Sequence, residues 1–189
     1  CDLSTEDFFI ILFKERYCAM DKKGEYQHLK RTFGPIYDKN SEILILGSFP
    51  SVKSREANFF YGHPQNRFWK VISAVYNAPS LNTIEDKTNF LIKNKIALWD
   101  TIDSCDIIGS SDSSIKNAVP TNINMVLSAA NIKGIFCNGA TSHKLYMKYC
   151  YPNTKVEAVK LPSTSPANAA FSLEKLISIW SDEIKKIYN

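Results

Sequence analysis

Four short, mostly apolar runs along the chain are typical of buried β-strands. Each is enriched in β-branched or aromatic side chains and is followed by turn-forming residues. The runs are Ile43–Leu46, Ile96–Trp99, Gly134–Cys137 and Val156–Leu161. Because continuous rather than alternating apolar runs are typical of strands covered on both faces, the pattern favours a parallel sheet.

Segments with helical spacing of apolar residues lie between and after these runs. Phe68, Val71, Ile72 and Val75 share one helical face, and Leu173 to Ile187 reads as a final amphipathic helix. Further helices are predicted at 85–94, 123–130 and 142–150. The alternation predicts an α/β fold: a single-domain, three-layer α/β/α sandwich around a central, mostly parallel four-stranded sheet.

The first residues lie outside this alternation. Ser4 and Asp7 stand in capping-box spacing before an apolar run, which predicts a helix over 4–20. The segment Asp21–Gly24 then predicts a break. We therefore expect an N-terminal helical extension, 1–24, followed by one domain, 25–189.

Composition narrows the possible functions only in part. The 189 residues carry a net charge of +4, which permits an anionic partner without requiring one. No apolar run approaches the ~18 residues of a membrane span. Five scattered cysteines without a C-x-x-C pair predict reduced thiols in a cytoplasmic protein, and they argue against a zinc or iron–sulfur site.

Polar segments follow the carboxyl ends of the four predicted strands. In a parallel sheet these ends meet at one edge, which is where ligands bind. The segments are rich in Ser, Asn, Asp, Gly and Pro, and they run Ser48–Asn66, Asp100–Ser114, Asn138–Ser142 and Pro162–Asn168. The sequence therefore predicts a binding site assembled from distant loops at this edge.

The first polar segment contains several side chains that each have two interpretations. Phe59, Phe60 and Tyr61 form either a hydrophobic plug or a stacking platform for a planar ring. Asn66 directly precedes a predicted helix, so it is either the N-cap or a pocket residue that holds a water or a base edge. His63 either bonds a loop carbonyl or stabilises charge on a leaving group.

The other segments leave similar alternatives open. Asp100 is either a turn cap or a ligand-binding group, while Asp103, Asp106 and Asp112 are expected to be solvated or capping residues. The hydroxyls of 163–165 suit phosphate contacts, although the flanking prolines also fit an ordinary stiffened loop. Lys53 and Arg55 are candidate backbone clamps or plain surface charges.

Three motifs resemble the uracil-DNA glycosylase superfamily, and most closely its hypoxanthine-DNA glycosylase family. They are Gly47–Ser51, the run Tyr61–Trp69 (YGHPQNRFW) and Leu161–Asn168, and the similarity extends from about Tyr26 to Trp180. The resemblance implies one α/β domain that flips a deaminated base out of double-stranded DNA and hydrolyses its N-glycosidic bond. It implies no metal or other cofactor, and with no oligomeric signal in the sequence a monomer is expected.

Two positions depart from the superfamily pattern. Many members carry Asn or Asp one residue before the first-motif proline, where this chain has Phe49, which cannot activate water. Many also open the last motif with His, where this chain has Leu161. The hypoxanthine family is similar in lacking the first-motif amide, and it implies that catalysis rests on Asn66, which can also be a cap. His63 is the second candidate catalytic residue, as a group that could stabilise charge on the leaving base.

The resemblance also implies roles for the remaining site residues. Tyr61 would stack on the flipped base, and Asp100 and Asn138 would contact its edge. The implied base-binding set is Gly47, Ser48, Phe49, Tyr61, Asp100 and Asn138. The implied DNA-binding set is Pro50, Ser51, Lys53, Ser163, Thr164, Ser165, Pro166, Ala167 and Asn168.

The leading hypothesis is a monofunctional glycosylase that removes hypoxanthine from DNA. One alternative is the same chemistry on uracil or xanthine in mismatches. Another is a non-catalytic damaged-DNA-binding module, which the apolar residues Phe49 and Leu161 favour. A small-molecule hydrolase using Ser48 or Ser51 would need a histidine partner that the sequence does not place.

Overall fold

A computed structural model describes residues 24–188 of the chain. The predicted helix at 4–20 lies outside these residues, as does nearly all of the predicted extension 1–24. None of the helices in the described part is long and apolar enough to cross a membrane.

The described strands form two sheets. In chain order they are β1 (Gln27–Lys30), β2 (Ile43–Gly47), β3 (Ile96–Asp100), β4 (Ile102–Ile107), β5 (Lys116–Pro120), β6 (Gly134–Asn138) and β7 (Ala158–Leu161). The central sheet is parallel, with strand order β3-β2-β6-β7, which confirms the predicted fold class. Every residue of β2 and β3 is buried, and this explains why their sequences are continuously apolar.

Helices flank the parallel sheet. They are α1 (Val52–Glu56), α2 (Phe68–Val75), α3 (Ile84–Lys93), α4 (Asn124–Ala129), α5 (Ala140–Leu145), α6 (Tyr151–Thr154) and α7 (Leu173–Lys185), with a π-helical turn at Tyr146–Cys150. The five predicted helices of the domain are confirmed, with shifted ends. Phe68 of α2 packs edge-to-face on Trp180 of α7, at 5.9 Å between ring centroids, so α2 and α7 meet in the core.

A small antiparallel sheet was not predicted. Strands β1, β4 and β5 pair in the order β1-β4-β5, so the segment Asp100–Ser114, expected to be a polar loop, is in large part strand β4. Asp103 and Asp106 interrupt its buried positions and hide the strand in the sequence. Phe49 packs with Ile102, Cys105 and Ile107 in a separate small core beneath this sheet.

The chain order of the parallel strands positions the site. Strand β2 is central, β3 lies on one side and β6 on the other, so the connections diverge at β2. Ligands bind at such a switch point, outside the carboxyl ends of the strands. Gly47, Asp100 and Asn138 are the last residues of β2, β3 and β6, and the site is built outward from them.

Candidate active site

A pocket of about 280 Å³ opens at this edge of the sheet. It brings together residues from all four strand ends, as the sequence predicted. Predicted site residues that line it are Gly47, Ser48, Phe49, Pro50, Ser51, Tyr61, His63, Asn66, Asp100, Asn138, Ser163, Ser165 and Pro166. A second depression of about 790 Å³ adjoins the pocket and shares five lining residues with it, Ser110, Asp112, Asn138, Ser163 and Ser165.

Asp100 is a buried carboxyl group at the pocket wall. It is 4% exposed, and its Oδ2 has no hydrogen-bond partner among the described residues. Burial raises the pKa of Asp100 to about 7, which the nearby Arg31 guanidinium opposes and the charge of Asp112 supports. An unpartnered buried carboxyl is costly unless something pairs with it, so this group is suited to receive a ligand.

Gly47 makes room for that carboxyl group. A Cβ at this position would lie 2.3 Å from Oδ1 of Asp100, its register partner on β3. Any side chain at 47 would therefore displace the carboxyl from the pocket. The absence of a side chain at the end of β2 is a requirement of the site.

Tyr61 presents an aromatic ring to the pocket in a fixed orientation. One face of the ring stacks on Phe68 at 4.0 Å between centroids, and the residue has a φ of +52°, unusual for a residue with a side chain. Its hydroxyl is buried, and burial raises its pKa well above the ordinary value, with the Asp100 charge adding to this effect. Sites of backbone strain often hold functional side chains.

The amide of Asn66 has a defined orientation. Its Oδ1 accepts hydrogen bonds from the backbone N–H of Phe68, at 2.9 Å, and from Thr164 Oγ1, at 3.0 Å. Because a backbone N–H can only donate, the oxygen and nitrogen of the amide cannot be exchanged. No described residue accepts from Nδ2, so the group that Asn66 offers to the pocket is a donor.

Thr164 links this asparagine to the end of β6. Asn138 donates from Nδ2 to Thr164 Oγ1 and accepts from the Thr164 backbone N–H, both at 2.9 Å. Thr164 is 0% exposed. The expectation that this hydroxyl contacts a phosphate is therefore wrong. It donates to Asn66 Oδ1 and so orients the Asn66 amide, while both ends of the Asn138 amide bond to Thr164.

Arg67 fastens the last motif to the start of α2. Its guanidinium donates to four backbone carbonyls of the loop at residues 162–171, those of Thr164, Ser165, Asn168 and Phe171. Loop carbonyls that face inward need such donors. The sequence showed Arg67 only as part of a motif, and nothing in its pattern indicated this role.

His63 is held by its own turn. Its Nδ1 accepts from the backbone N–H of Gln65 at 3.2 Å, so the neutral ring carries its proton on Nε2. The side chain lines the pocket, and it offers a second donor beside that of Asn66.

The first motif is joined to the β4–β5 connection. Ser48 Oγ donates to Asp112 Oδ1 at 2.7 Å, and Ser110 Oγ accepts from the backbone N–H of Val52 at 2.9 Å. Asp112 and Ser110 both line the pocket. Asp112 is solvent-exposed as a residue and begins a 3₁₀ turn, which agrees with the expectation of a solvated or capping group, but its carboxylate also binds the first motif through Ser48.

The remaining predicted DNA contacts lie around the pocket. Ala167 and Asn168 line the second depression, and Ser163 borders both cavities. Ser51 accepts from the Ser54 backbone N–H as the N-cap of α1. Lys53 is exposed, lies outside both linings and pairs with Glu56 at 2.7 Å.

Gly139 allows the last motif to approach the end of β6. It has a φ of +104°, and a Cβ there would lie 2.9 Å from Cβ of Ser163. Both the backbone conformation and the close contact require glycine. This contact sets Ser163 between the two depressions.

Several pocket residues were missed by sequence reasoning. They are Phe33, Ser54, Phe60, Ile107, Ser110 and Asp112. Phe60 was named only as one of three adjacent aromatics, and Ile107, Ser110 and Asp112 were read as loop. Alternation of buried and partly buried polar residues over 102–107 was the signal that could have placed Ile107 on a strand; Ser110 and Asp112 lie in the connection after it.

Comparison with known proteins assigns the fold to a family. The model of the uracil DNA glycosylase superfamily matches residues 35–182. The chain belongs to this superfamily. The match spans the parallel sheet and every motif that lines the pocket.

Two curated relatives in the superfamily are similar over most of their length. A hypoxanthine DNA glycosylase of Methanosarcina barkeri (strain Fusaro / DSM 804) is 32% identical over 162 residues, covering 83% of this chain and 99% of the relative. A hypoxanthine DNA glycosylase of Methanosarcina acetivorans is 34% identical over 148 residues, covering 76% and 91%.

A solved structure supports the superfamily fold. It is a solution NMR structure from Methanosarcina acetivorans, described provisionally as a uracil DNA glycosylase, with a TM-score of 0.72 and 30% identity. The similarity covers 86% of this chain and all of that one.

Proposed function

We propose that this superfamily member is a monofunctional DNA glycosylase that flips hypoxanthine out of deoxyinosine-containing duplex DNA and hydrolyses its N-glycosidic bond. The observation that carries the proposal is the buried Asp100 carboxyl, whose Oδ2 has no hydrogen-bond partner in the described part of the chain, in a pocket of about 280 Å³ that Tyr61 also lines. The names of both curated relatives support hypoxanthine as the base.

The pocket chemistry fits a base with an N–H on its pairing edge. Hypoxanthine carries such a donor at N1, which the ionised Asp100 would accept. Adenine has an acceptor at N1, which the ionised form of Asp100 would repel, so this form disfavours the normal base. The ring of Tyr61, backed by Phe68, provides the stacking surface that extruded bases need.

The donors of Asn66 and His63 suit the departing base. Cleavage leaves an electron pair, and so negative charge, on the base nitrogen. Positioned donors stabilise charge that develops in the transition state, and a single such donor is worth about 100- to 1,000-fold in rate. Asn66 Nδ2 and the Nε2–H of His63 are the pocket groups with this capacity.

The duplex would lie along the adjoining depression. Ser163 and Ser165 border both cavities, and Ala167 and Asn168 line the second, so the flanking phosphates would contact this loop. Within the described residues no lysine lines the pocket itself. We therefore propose no Schiff-base chemistry and no strand cleavage by the enzyme.

A panel of lesion duplexes tests the proposal. Each 30-mer would carry one deoxyinosine, deoxyuridine or deoxyxanthosine, and base release would be read as strand breakage after alkali. We expect release of hypoxanthine fastest, with intact strands before alkali treatment. Faster release of uracil than of hypoxanthine would show that uracil is the substrate base. Binding of the duplexes without release of any base would indicate a non-catalytic module.

A further inference from the structure

The residues assigned so far do not account for activation of the water. Hydrolysis of an N-glycosidic bond is assisted by a group that takes a proton from the attacking water. Asn66 uses Oδ1 to accept from Phe68 and Thr164, so that oxygen is occupied. Phe49 follows Ser48 in the first motif, but its side chain has no acceptor and its ring is buried in the small core.

A carboxylate reaches the same pocket from a different element. Asp112 lies at the tip of the β4–β5 connection, in a short 3₁₀ turn at Asp112–Ser114. Its Oδ1 accepts from Ser48, the residue directly before Phe49, and the side chain lines the pocket. The hydrogen bond from Ser48 uses only one of the two carboxylate oxygens.

The tip that carries Asp112 is fixed on the first motif. Ser110 accepts from the Val52 backbone N–H, and Ser114 Oγ accepts from the Ile108 backbone N–H at 2.9 Å. Hydrogen bonds at Ser48 and Val52 therefore hold the tip on both sides of Phe49. Groups held in this way are preorganised, as catalysis requires.

The two pocket carboxyls have different surroundings. Asp100 is 4% exposed at the end of β3, where it faces the Tyr61 ring. Asp112 is solvent-exposed as a residue, whereas its carboxyl group lines the pocket, where burial raises its pKa and the hydrogen bond from Ser48 opposes this rise. Two carboxyls in different environments can take different roles.

We propose that Asp112 is the catalytic base that activates the water, an inference that rests on the glycosylase function proposed above. The C1′–N9 bond breaks and its electron pair leaves with the base. The water oxygen bonds to C1′, and the proton that the water loses passes to Asp112. That proton leaves to solvent and the departed base takes one up, so the products are the abasic sugar and the neutral base.

Asp112→Asn tests the inference under single-turnover conditions on a deoxyinosine duplex. Asparagine keeps an oxygen that accepts from Ser48 but cannot take the proton. We expect the rate of base release to fall about 100- to 10,000-fold. Affinity for a duplex with a tetrahydrofuran abasic analogue should stay within about threefold of wild type, because binding contacts are unchanged.

Two further variants separate the chemistry from loop positioning. Ser48→Ala removes the hydrogen bond to Asp112 and keeps the carboxylate, and we expect a loss at least tenfold smaller than that of Asp112→Asn. Asp106→Asn makes the same charge change on β4 outside the pocket, where Asp106 bonds His28 and Asn117, and we expect the wild-type rate.

The outcomes are distinguishable. If folded wild-type protein releases no base, the proposed function fails. If wild type is active and Asp112→Asn is within fivefold of it, or Asp112→Asn and Ser48→Ala lose activity equally, Asp112 is not the base. Thermal unfolding of each variant verifies that a lost rate is not a lost fold.

Discussion

At the scale of single residues, Asn66 shows how one side chain serves structure and chemistry together. Its oxygen is occupied by the start of α2 and by Thr164, while its nitrogen faces the pocket without a partner among the described residues. The sequence offered a helix-cap and a catalytic interpretation and allowed both. The N-cap of α2 is Arg67, one residue later, and Asn66 supports the helix start from outside through its bond with Phe68, which leaves Nδ2 for the pocket.

Replacing Asn66 by aspartate separates these two roles. Aspartate keeps an acceptor for Phe68 and Thr164 but has no donor, so the fold should be retained while base release falls about 100-fold or more. Single-turnover kinetics and thermal unfolding measure the two effects.

The control for added charge is Asn66→Ala. It removes the donor without introducing a carboxylate, and it should lose activity to a similar degree and also about 1 kcal/mol of stability. Wild-type rates in either variant would exclude the donor role of Asn66.

Residue-level prediction from the sequence was best where a motif and a strand end coincide. Gly47, Asp100 and Asn138 were placed at the sheet edge by the strand pattern alone, and the structure puts them there. The sequence could not reveal the role of the Thr164 hydroxyl, because its hydrogen bonds to Asn66 and Asn138 span 98 and 26 residues. No local pattern encodes such partners.

At the scale of elements, the loop at residues 162–171 depends on a neighbour far away in the chain. Arg67 donates hydrogen bonds to four backbone carbonyls of this loop. A lysine has neither the planar guanidinium nor enough directed donors to replace it. The loop places Ser163 and Ser165 where the phosphates are proposed to lie. Its order is therefore set by α2.

Arg67→Lys should loosen this loop more than it damages the pocket. We expect weaker DNA binding by about tenfold, a smaller loss in the rate of base release, and a destabilisation of about 2–4 kcal/mol. Binding isotherms, single-turnover rates and hydrogen exchange of amides in the loop measure these effects. Lys70→Met, an exposed charge removal on the same helix, is the matched control. An unchanged affinity would show that the loop does not hold the duplex.

Element-level prediction failed where polar and buried residues alternate. The parallel strands were recognisable because both of their faces are buried, whereas β4 exposes Asp103 and Asp106 between its buried residues. The pairing partners of β4 lie at 27–30 and 116–120, and neither is strongly apolar. The sheet is held instead by the small core around Phe49.

At the scale of the whole molecule, the site costs stability. Asp100 is buried and its pKa is raised to about 7 in the folded state, against an ordinary value of 3.8 for an aspartate in water. Between these two values the folded protein binds more protons at Asp100 than the unfolded chain does. The contribution of Asp100 to the free energy of unfolding therefore falls as pH rises from about 4 to about 7, and it stays low at higher pH.

Asp100→Asn should remove the destabilisation that comes from ionising the buried Asp100, so the variant measures its size. The variant should be more stable than wild type by on the order of 1–4 kcal/mol at about pH 8, with a much smaller difference at about pH 5. Urea unfolding at the two pH values measures the change. The same variant should bind deoxyinosine duplexes poorly, because an amide oxygen accepts more weakly than a carboxylate. A stability difference that does not grow with pH would contradict the raised pKa.

Phe49 has a consequence for how this site can change over time. Its ring is 7% exposed and closes the core that supports β4, and β4 in turn delivers Asp112. Replacing a buried Phe by a small residue costs about 3–5 kcal/mol, and a carboxylate there would add a burial penalty. A single substitution of Phe49 by Asp or Asn would thus destabilise the antiparallel sheet that leads to the proposed base. An exchange of Phe49 for a first-motif carboxylate would therefore need compensating changes in the small core.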